Sequence, residues 1–268
     1  MNLPIYQVDA FAGEIFTGNP AAVIILDSWL EDSLLQSIAM ENNLSETAYL
    51  VAIADGFELR WFTPQLEVDL CGHATLAAAH VLFHHLDYPA AEVSFHTRSG
   101  RLRVEQSTGG LTLNFPPLEM MVAEVDLAVC NALGAIASEA LVPADGQGAV
   151  LYVYEFEQDV AALTPDFPAL LAASEVSIIV TAPGDQCDFV SRFFGPQVGI
   201  NEDPVTGSAH CALVPYWSGR LQQGNLQARQ ISARGGELDC ELRDGRVFMT
   251  GNAVTFMSGS IQIGQHGG

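Results

Sequence analysis

The chain contains no lysine, although it has 268 residues and ten basic residues, all of them arginine. Without lysine the protein cannot form an internal aldimine with pyridoxal phosphate, a lysine Schiff base with a carbonyl substrate, or the phosphate contact of a P-loop lysine. Any carbanion formed during catalysis must therefore be stabilised by other groups.

Positive charge is scarce. The ten arginines face 32 acidic residues, which gives a formal net charge of −22. A charge of this sign and size repels polyanions, so the composition predicts no nucleic-acid partner and no binding to anionic membranes.

Long apolar runs and paired cysteine motifs are also missing. An apolar run such as Ala74 to Ala79 stops at His80, far short of the roughly 20 residues that a membrane span needs. The start at Met1 to Pro4 has no basic or long apolar region of a secretion signal, so we expect a cytoplasmic protein. An odd number of scattered cysteines predicts reduced thiols. They are Cys71, Cys130, Cys187, Cys211 and Cys240.

Hydrophobic residues make up 49% of the chain, enough to bury one large core or two modest ones. In the first half, strand-like segments alternate with two helices. The spacing of Ser28 and Glu31 predicts a capping box for the first helix, which should end at Asn42 and Asn43. Gly72 opens a second, very apolar helix that reaches about Phe83. Such a helix should be surrounded by sheet, and the pattern predicts an α+β fold.

The second half repeats this plan loosely, with a helix opening at Gly207, Ser208 and Ala209. Pro116-Pro117 is the best candidate for a domain boundary. We therefore predict an N-terminal domain over residues 1–117 and a C-terminal domain over residues 118–268, with the last strand able to pair back to the first domain. The likeness of the two halves is consistent with an internal duplication.

Two helix starts are candidates for binding an anion. At Gly72-His73 and at Gly207-Ser208, free backbone N–H groups and a positive helix end would attract a carboxylate without any lysine. The alternative is a pair of ordinary core helices that begin with glycine, with Ser208 acting only as a helix cap.

Two carboxylates are candidates for proton transfer. Glu46 adjoins the apolar segment Thr47 to Val51, and loss of solvation moves a carboxyl group toward the pKa that general acid/base catalysis requires. The alternative is an ordinary solvated surface glutamate. Asp203 comes just before the second apolar helix, where capping or turn formation is the alternative role.

Cys71 directly precedes Gly72. A thiol at a helix start can have a lowered pKa, but a small buried core residue is the more common role of a cysteine. His73, His80, His84 and His85 invite a metal interpretation together with Cys71. Their spacing matches no standard zinc motif, so we predict no metal site.

Seven short blocks carry a resemblance to a known family, and they occur in the family's order from residue 8 to beyond residue 230. They are Val8-Asp9-Ala10-Phe11, Gly18-Asn19-Pro20-Ala21-Ala22-Val23, Asn43-Leu44-Ser45-Glu46-Thr47-Ala48, Trp61-Phe62-Thr63-Pro64, Leu70-Cys71-Gly72-His73-Ala74-Thr75, Asn201-Glu202-Asp203-Pro204-Val205-Thr206-Gly207-Ser208-Ala209-His210 and Ser232-Ala233-Arg234-Gly235-Gly236. At these residues the chain resembles the PhzF-like family within the diaminopimelate epimerase fold.

The resemblance implies two similar domains related by a pseudo-twofold axis, each a curved, barrel-like sheet around a central helix. It also implies a site in the cleft between them, a small carboxylate-bearing substrate and a homodimer. Glu46 is then the group that moves the proton. The residues implied to hold and polarise the substrate are His73, Asp203, Ser208, Cys71 and the backbone of Gly72 and Gly207.

Three functions follow as alternatives. The first is a cofactor-independent isomerase in which Glu46 removes a proton from one carbon and returns it to another. A non-catalytic protein that binds a small acid is the second. The third is a cysteine hydrolase, which the separation of only two residues between Cys71 and His73 argues against. The epimerase relatives use two cysteines, and Thr206 stands at the second position here, so a two-thiol racemase is disfavoured.

Overall fold

The computed structural model describes residues 1–264. Its strands are β1 (Asn2–Ala10), β2 (Asn19–Leu26), β3 (Glu46–Ile53), β4 (Gly56–Phe62), β5 (Glu67–Val68), β6 (Glu92–Thr97), β7 (Gly100–Ser107), β8 (Gly110–Phe115), β9 (Met120–Ala123), β10 (Glu139–Pro143), β11 (Val150–Val153), β12 (Ile178–Pro183), β13 (Phe189–Gly195), β14 (Ile200–Asp203), β15 (Asn225–Gln230), β16 (Gly236–Arg243), β17 (Arg246–Gly251) and β18 (Ala253–Gln262). Its helices are α1 (Asp32–Asn42), α2 (Gly72–His85), α3 (Leu127–Leu133), α4 (Glu157–Ala161), α5 (Phe167–Ala173) and α6 (Gly207–Leu221).

The chain divides into two compact units. Unit 1 contains residues 1–114 together with the residues from Thr250 onward, and unit 2 contains Phe115–Met249. The sequence-based boundary lay at residues 117 and 118, three residues beyond the first division point, and it assigned the last strand to the second domain, able to pair back to the first. In the structure β18 belongs to unit 1, so unit 2 interrupts unit 1 in the sequence.

The strands of unit 1 form a mixed sheet. β1 is antiparallel both to β2 and to β18, and β2 continues into a parallel pairing with β3. β3 and β4 then form an antiparallel hairpin across Ala54 and Asp55. Because β2 and β3 are parallel, the connection between them has to cross back over the sheet, and α1 makes that crossover.

α2 is the central helix of unit 1. Every residue from Gly72 to Phe83 is buried, and the helix packs against β1, β2 and β3. A helix that is apolar on all sides belongs inside a core, and its alanines allow the surrounding strands to approach closely. The prediction of an apolar helix from Gly72 to about Phe83 is confirmed, with two more residues at its C-terminal end.

The start of α1 differs from the prediction. Glu31 is the N-cap residue, and no side chain caps the helix, so the predicted capping box of Ser28 and Glu31 is wrong. The spacing of the two residues was right for the motif, but the helix begins three residues after the position where Ser28 would act as the cap. The predicted end is confirmed: Asn43 adopts the left-handed conformation, and its N–H donates to the carbonyl of Ala39.

Unit 2 also pairs strands in both directions. β12 lies between β11, which is parallel to it, and β13, which is antiparallel. α6 packs against β15 and β16 and contains Pro215. A proline within a helix cannot donate to the carbonyl four residues earlier, here that of Cys211. That carbonyl instead accepts a hydrogen bond of 2.9 Å from the N–H of Leu118, so the helix tolerates the proline without losing the partner of a buried carbonyl.

The predicted α+β class is confirmed, since both units combine mixed sheets with few helices. Within the described residues, none of the helices has both the length and the apolar character that crossing a membrane requires.

Candidate active site

Glu46 lies at the first position of β3, where the parallel register with β2 places it beside Ala21. The next residues, Thr47 to Leu50, are buried, and the Glu46 residue itself is only 8% exposed. The structure therefore excludes the alternative of a solvated surface glutamate. A carboxylate at this position is held by a rigid strand instead of a mobile loop.

His73 faces Glu46 from the second position of α2. Its Nε2 atom lies 3.0 Å from Oε2 of Glu46, and His73 is 4% exposed. Both atoms are shielded from solvent, and neither has a hydrogen-bond partner of good geometry. This is an ion-pair distance between two groups that can exchange a proton.

Cys71 completes the group from the residue just before α2. Its sulfur lies 3.5 Å from Nδ1 of His73, so the imidazole ring contacts the thiol with one nitrogen and Glu46 with the other. One ligand-type atom from each of the three side chains lies within 4.8 Å of the others. The prediction of no metal site considered only the spacing of Cys71 and the histidines, and it did not include Glu46.

Burial and neighbouring side chains both affect the pKa values of Cys71 and His73. Burial raises the pKa of Cys71 to about 11, and the nearby Glu46 charge raises it further. The alternative of a thiol with a lowered pKa is therefore wrong. Burial also disfavours the charged form of His73, but the contacts with the Cys71 and Glu46 side chains outweigh this effect and hold its pKa well above the usual range. Because the thiol is protonated at neutral pH, Glu46 is the partner that favours a charged His73.

The short separation of Cys71 and His73 in the sequence does not by itself exclude a cysteine hydrolase, contrary to the expectation. The extended Cys71 precedes the first turn of α2 and turns its sulfur toward the ring, so the two side chains do meet. The thiol nevertheless lacks the character of a nucleophile, since a pKa of about 11 leaves it protonated at neutral pH. The structure thus disfavours this alternative for a different physical reason.

Asn19 is a member of the group to which the sequence pattern assigned no role. It is fully buried as the first residue of β2. Its Nδ2 atom lies 3.2 Å from Nδ1 of His73, and its Oδ1 accepts a hydrogen bond of 3.0 Å from Ser45. The amide therefore connects the residue preceding Glu46 to the ring that faces Glu46. The available signal was an asparagine directly before a proline at the start of an apolar run.

Gly18 makes this position of Asn19 possible. Its φ angle is +65°, and a Cβ atom here would lie 2.2 Å from the carbonyl oxygen of Ala10. Only glycine adopts this conformation at such a close approach without strain. The turn that precedes Asn19 therefore requires glycine at position 18.

The candidate residues of unit 2 form a second group. Asp203 ends β14, is 7% exposed, and accepts a hydrogen bond from the hydroxyl of Thr206, the N-cap residue of α6. Gly207 is buried at the first position of α6, and Ser208 is exposed at the second. Ser208 is thus not the cap of this helix, and that alternative is wrong.

Gln230 holds the start of α6 in place and was not predicted from the sequence. It is 1% exposed, and its Oε1 accepts a hydrogen bond of 2.8 Å from the N–H of Thr206. Its Nε2 donates to the backbone carbonyl of Asp203 at 2.7 Å. A single amide therefore satisfies buried backbone groups on both sides of the loop. No local pattern signals this role, because Gln230 lies 24 residues from Thr206.

Similarity to known proteins extends over nearly the whole chain. Residues 8–259 match the family model described as phenazine biosynthesis-like protein. The chain belongs to the phenazine biosynthesis-like family. It is 49% identical to an uncharacterized isomerase of Pseudomonas aeruginosa, with 98% of this chain and 100% of the relative covered. The resemblance to the PhzF-like family is confirmed.

Solved structures agree with this assignment. A PhzF family phenazine biosynthesis protein of Enterococcus faecalis has a TM-score of 0.94 and 46% sequence identity, and the match covers 98% of this chain and 100% of that one. A hydroxyproline epimerase of Agrobacterium vitis has a TM-score of 0.61 at 10% identity, covering 97% and 92% of the two chains. The latter likeness concerns the fold alone, and it confirms the predicted epimerase-like fold.

Proposed function

We propose that the protein is an isomerase that moves a proton on a small carboxylate-bearing substrate, with Glu46 as the general acid/base and without a cofactor. An isomerase-type role is supported by the family and by the relatives named isomerases. The assignment of Glu46 rests on one observation, its buried position 3.0 Å from His73 at the start of a rigid strand.

The chemistry requires a group that can accept a proton from carbon and release it again. A carboxylate shielded from water and facing an imidazole suits this task, since its charge is not dispersed by solvent. His73 can stabilise the anionic form of Glu46 before proton abstraction, and Asn19 keeps the ring in orientation through the contact at Nδ1. Glu46 is the catalytic residue in this proposal, with His73 beside it, and Asn19 is a positioning residue.

Removal of a proton next to a carboxylate places negative charge on the substrate. Helix starts can stabilise such charge through their free N–H groups and positive dipole ends. The start of α2 at Gly72 is one candidate donor in the proposal, next to Cys71. In unit 2 we assign substrate binding to Asp203, Gly207 and Ser208, at the start of α6. A homodimer and the absence of nucleic-acid and membrane partners stay predictions.

An isotope experiment tests the proposal and does not require an identified substrate. Small cyclic and unsaturated carboxylic acids are incubated with the protein in deuterium oxide, and proton NMR follows loss of carbon-bound hydrogen. Saturation-transfer NMR on the same samples reports which acids bind. The isomerase proposal predicts that at least one bound acid exchanges a hydrogen. Binding of acids without any exchange would instead establish the alternative of a non-catalytic acid-binding protein.

A further inference from the structure

The side chains of Glu46, Cys71 and His73 offer three donor types that zinc binds in proteins: a carboxylate oxygen, a sulfur and an imidazole nitrogen. One such atom from each residue lies within 4.8 Å of the other two. Among residues 1–264, no other group of three histidine, cysteine or acidic side chains meets this condition.

The donor separations are close to those of a zinc site. In tetrahedral coordination, bonds of about 2.0 to 2.3 Å place the donor atoms roughly 3.3 to 3.7 Å apart. Oε2 of Glu46 already lies 3.0 Å from Nε2 of His73, the ring nitrogen that would hold the ion. The Cys71 sulfur has to turn toward this pair from its position 3.5 Å from Nδ1 of the same ring.

Unpartnered atoms point to a missing ligand at the same place. Oε2 of Glu46 and Nε2 of His73 are buried and face each other at 3.0 Å, but neither has a hydrogen-bond partner of good geometry. A buried polar atom without a good partner is destabilising, so a group that satisfies both side chains at once would bind favourably. His73 is 4% exposed, and the ring is held by the contact with Asn19 at 3.2 Å. An orienting contact to a ligating histidine is a regular feature of metal sites.

We propose that Glu46, Cys71 and His73 bind one zinc ion. Three protein ligands leave the fourth tetrahedral position for water or an anion. The bound ion prevents the Glu46 carboxylate from exchanging a proton, so zinc inhibits the isomerase. The inhibition rests on the proposed function, whereas the binding does not.

Direct binding measurements test the site. The protein, freed of metal by a chelator and desalted, is titrated with Zn²⁺ in a calorimeter and with Cd²⁺ in an ultraviolet spectrometer, where a sulfur-to-cadmium charge-transfer band reports a bound thiolate. We expect one ion per chain. Removing a ligand should weaken binding by at least about 10- to 100-fold, the loss that even a change beside a metal ligand produces.

Two variants test the sulfur ligand and the carboxylate ligand separately. Cys71→Ser should abolish the cadmium band, and Glu46→Gln should weaken Zn²⁺ binding but keep the band. The matched control is Cys187→Ser, which removes a partly buried thiol in unit 2 and should leave both signals unchanged. Circular dichroism confirms that each variant is folded.

Two outcomes would overturn the proposal. The first is no binding of Zn²⁺ at micromolar concentration, and the second is binding that survives both Cys71→Ser and Glu46→Gln. The result is separable from the proposed function, because isotope exchange is measured in the presence of chelator. If zinc does not bind but isotope exchange is retained, only the proposal of a metal site is overturned. Full exchange by the zinc-loaded protein would instead show that Glu46 is not the acid/base.

Discussion

Oε2 of Glu46 lies 3.0 Å from Nε2 of His73, although the two residues are 27 positions apart and belong to a strand and a helix. Because β3 and α2 are both part of the core of unit 1, this separation is fixed by packing on both sides. The pair is the element on which the proposed chemistry depends.

Replacing Glu46 by glutamine removes the base but keeps the shape of the side chain. We expect isotope exchange into an identified substrate to fall by at least about 100-fold, since general acid/base groups contribute about 10²- to 10⁴-fold. The rate is measured by NMR in deuterium oxide. Glu41→Gln, on the exposed side of α1, is the matched control and should exchange at the wild-type rate. Equal rates for the two variants would exclude Glu46 as the catalytic group.

Gly18→Ala should destabilise the protein by at least about 2 kcal/mol, because it combines a left-handed backbone with a severe contact. Gly245→Ala is the comparison, since its φ of +68° is similar but no atom lies within 4 Å of the added Cβ. Urea denaturation gives the free energy of unfolding of each variant. If the two substitutions cost the same, the contact with the carbonyl of Ala10 has no effect on stability.

Gln230→Ala should lower the free energy of unfolding by about 2–6 kcal/mol. The substitution removes the partners of the Thr206 N–H and of the Asp203 carbonyl, and each buried group left unsatisfied costs about 1–3 kcal/mol. Gln227→Ala, at an exposed position of the same strand, should change stability by less than about 0.5 kcal/mol. Chemical denaturation compares the two variants, and a mild effect of Gln230→Ala would mean that water replaces the amide.

His210 should make the protein less stable in acid. Burial lowers its pKa from 6.5 to about 4, and its Nδ1 contacts the carbonyl of Thr206. The neutral ring is favoured in the folded state, so its contribution is complete above pH 6.5 and disappears as the pH falls toward 4. The difference corresponds to about 3 kcal/mol at most, at about 1.4 kcal/mol per pKa unit.

The test of this pH dependence is His210→Gln, which keeps a donor for the Thr206 carbonyl but cannot titrate. Urea denaturation is repeated between pH 7 and pH 4 for both proteins. The wild type should lose more stability over this interval than the variant. Parallel curves for the two proteins would assign the acid sensitivity to other groups.

Local patterns predicted the parts of the fold that depend on local chemistry. The apolar residues after Gly72 marked α2, and the asparagines marked the end of α1. The start of α1 was misjudged because a capping pair close in sequence need not be used when the chain enters the helix later. A helix that is apolar on all sides, in contrast, has few possible positions other than the centre of a core.

The candidate site was only partly accessible from the sequence. Glu46, Cys71 and His73 were named, but their mutual distances depend on how β3 packs beside α2, which no spacing reveals. Asn19 and Gln230 act through contacts with residues 54 and 24 positions away. Such polar contacts have no periodic signature, because a single buried amide is compatible with many local structures.

The pairing of β18 with β1 sets an order of events during translation. Asn2 pairs with Gln262 and Ala10 with Ala253, so the second edge of β1 stays open until almost the whole chain has left the ribosome. Unit 2 is continuous and can finish folding earlier. Long-range pairing of this kind is slow, and an open strand edge invites association with other chains. A nascent chain that stalls before Ala253 would therefore display the unprotected edge of β1 and be prone to association with other chains.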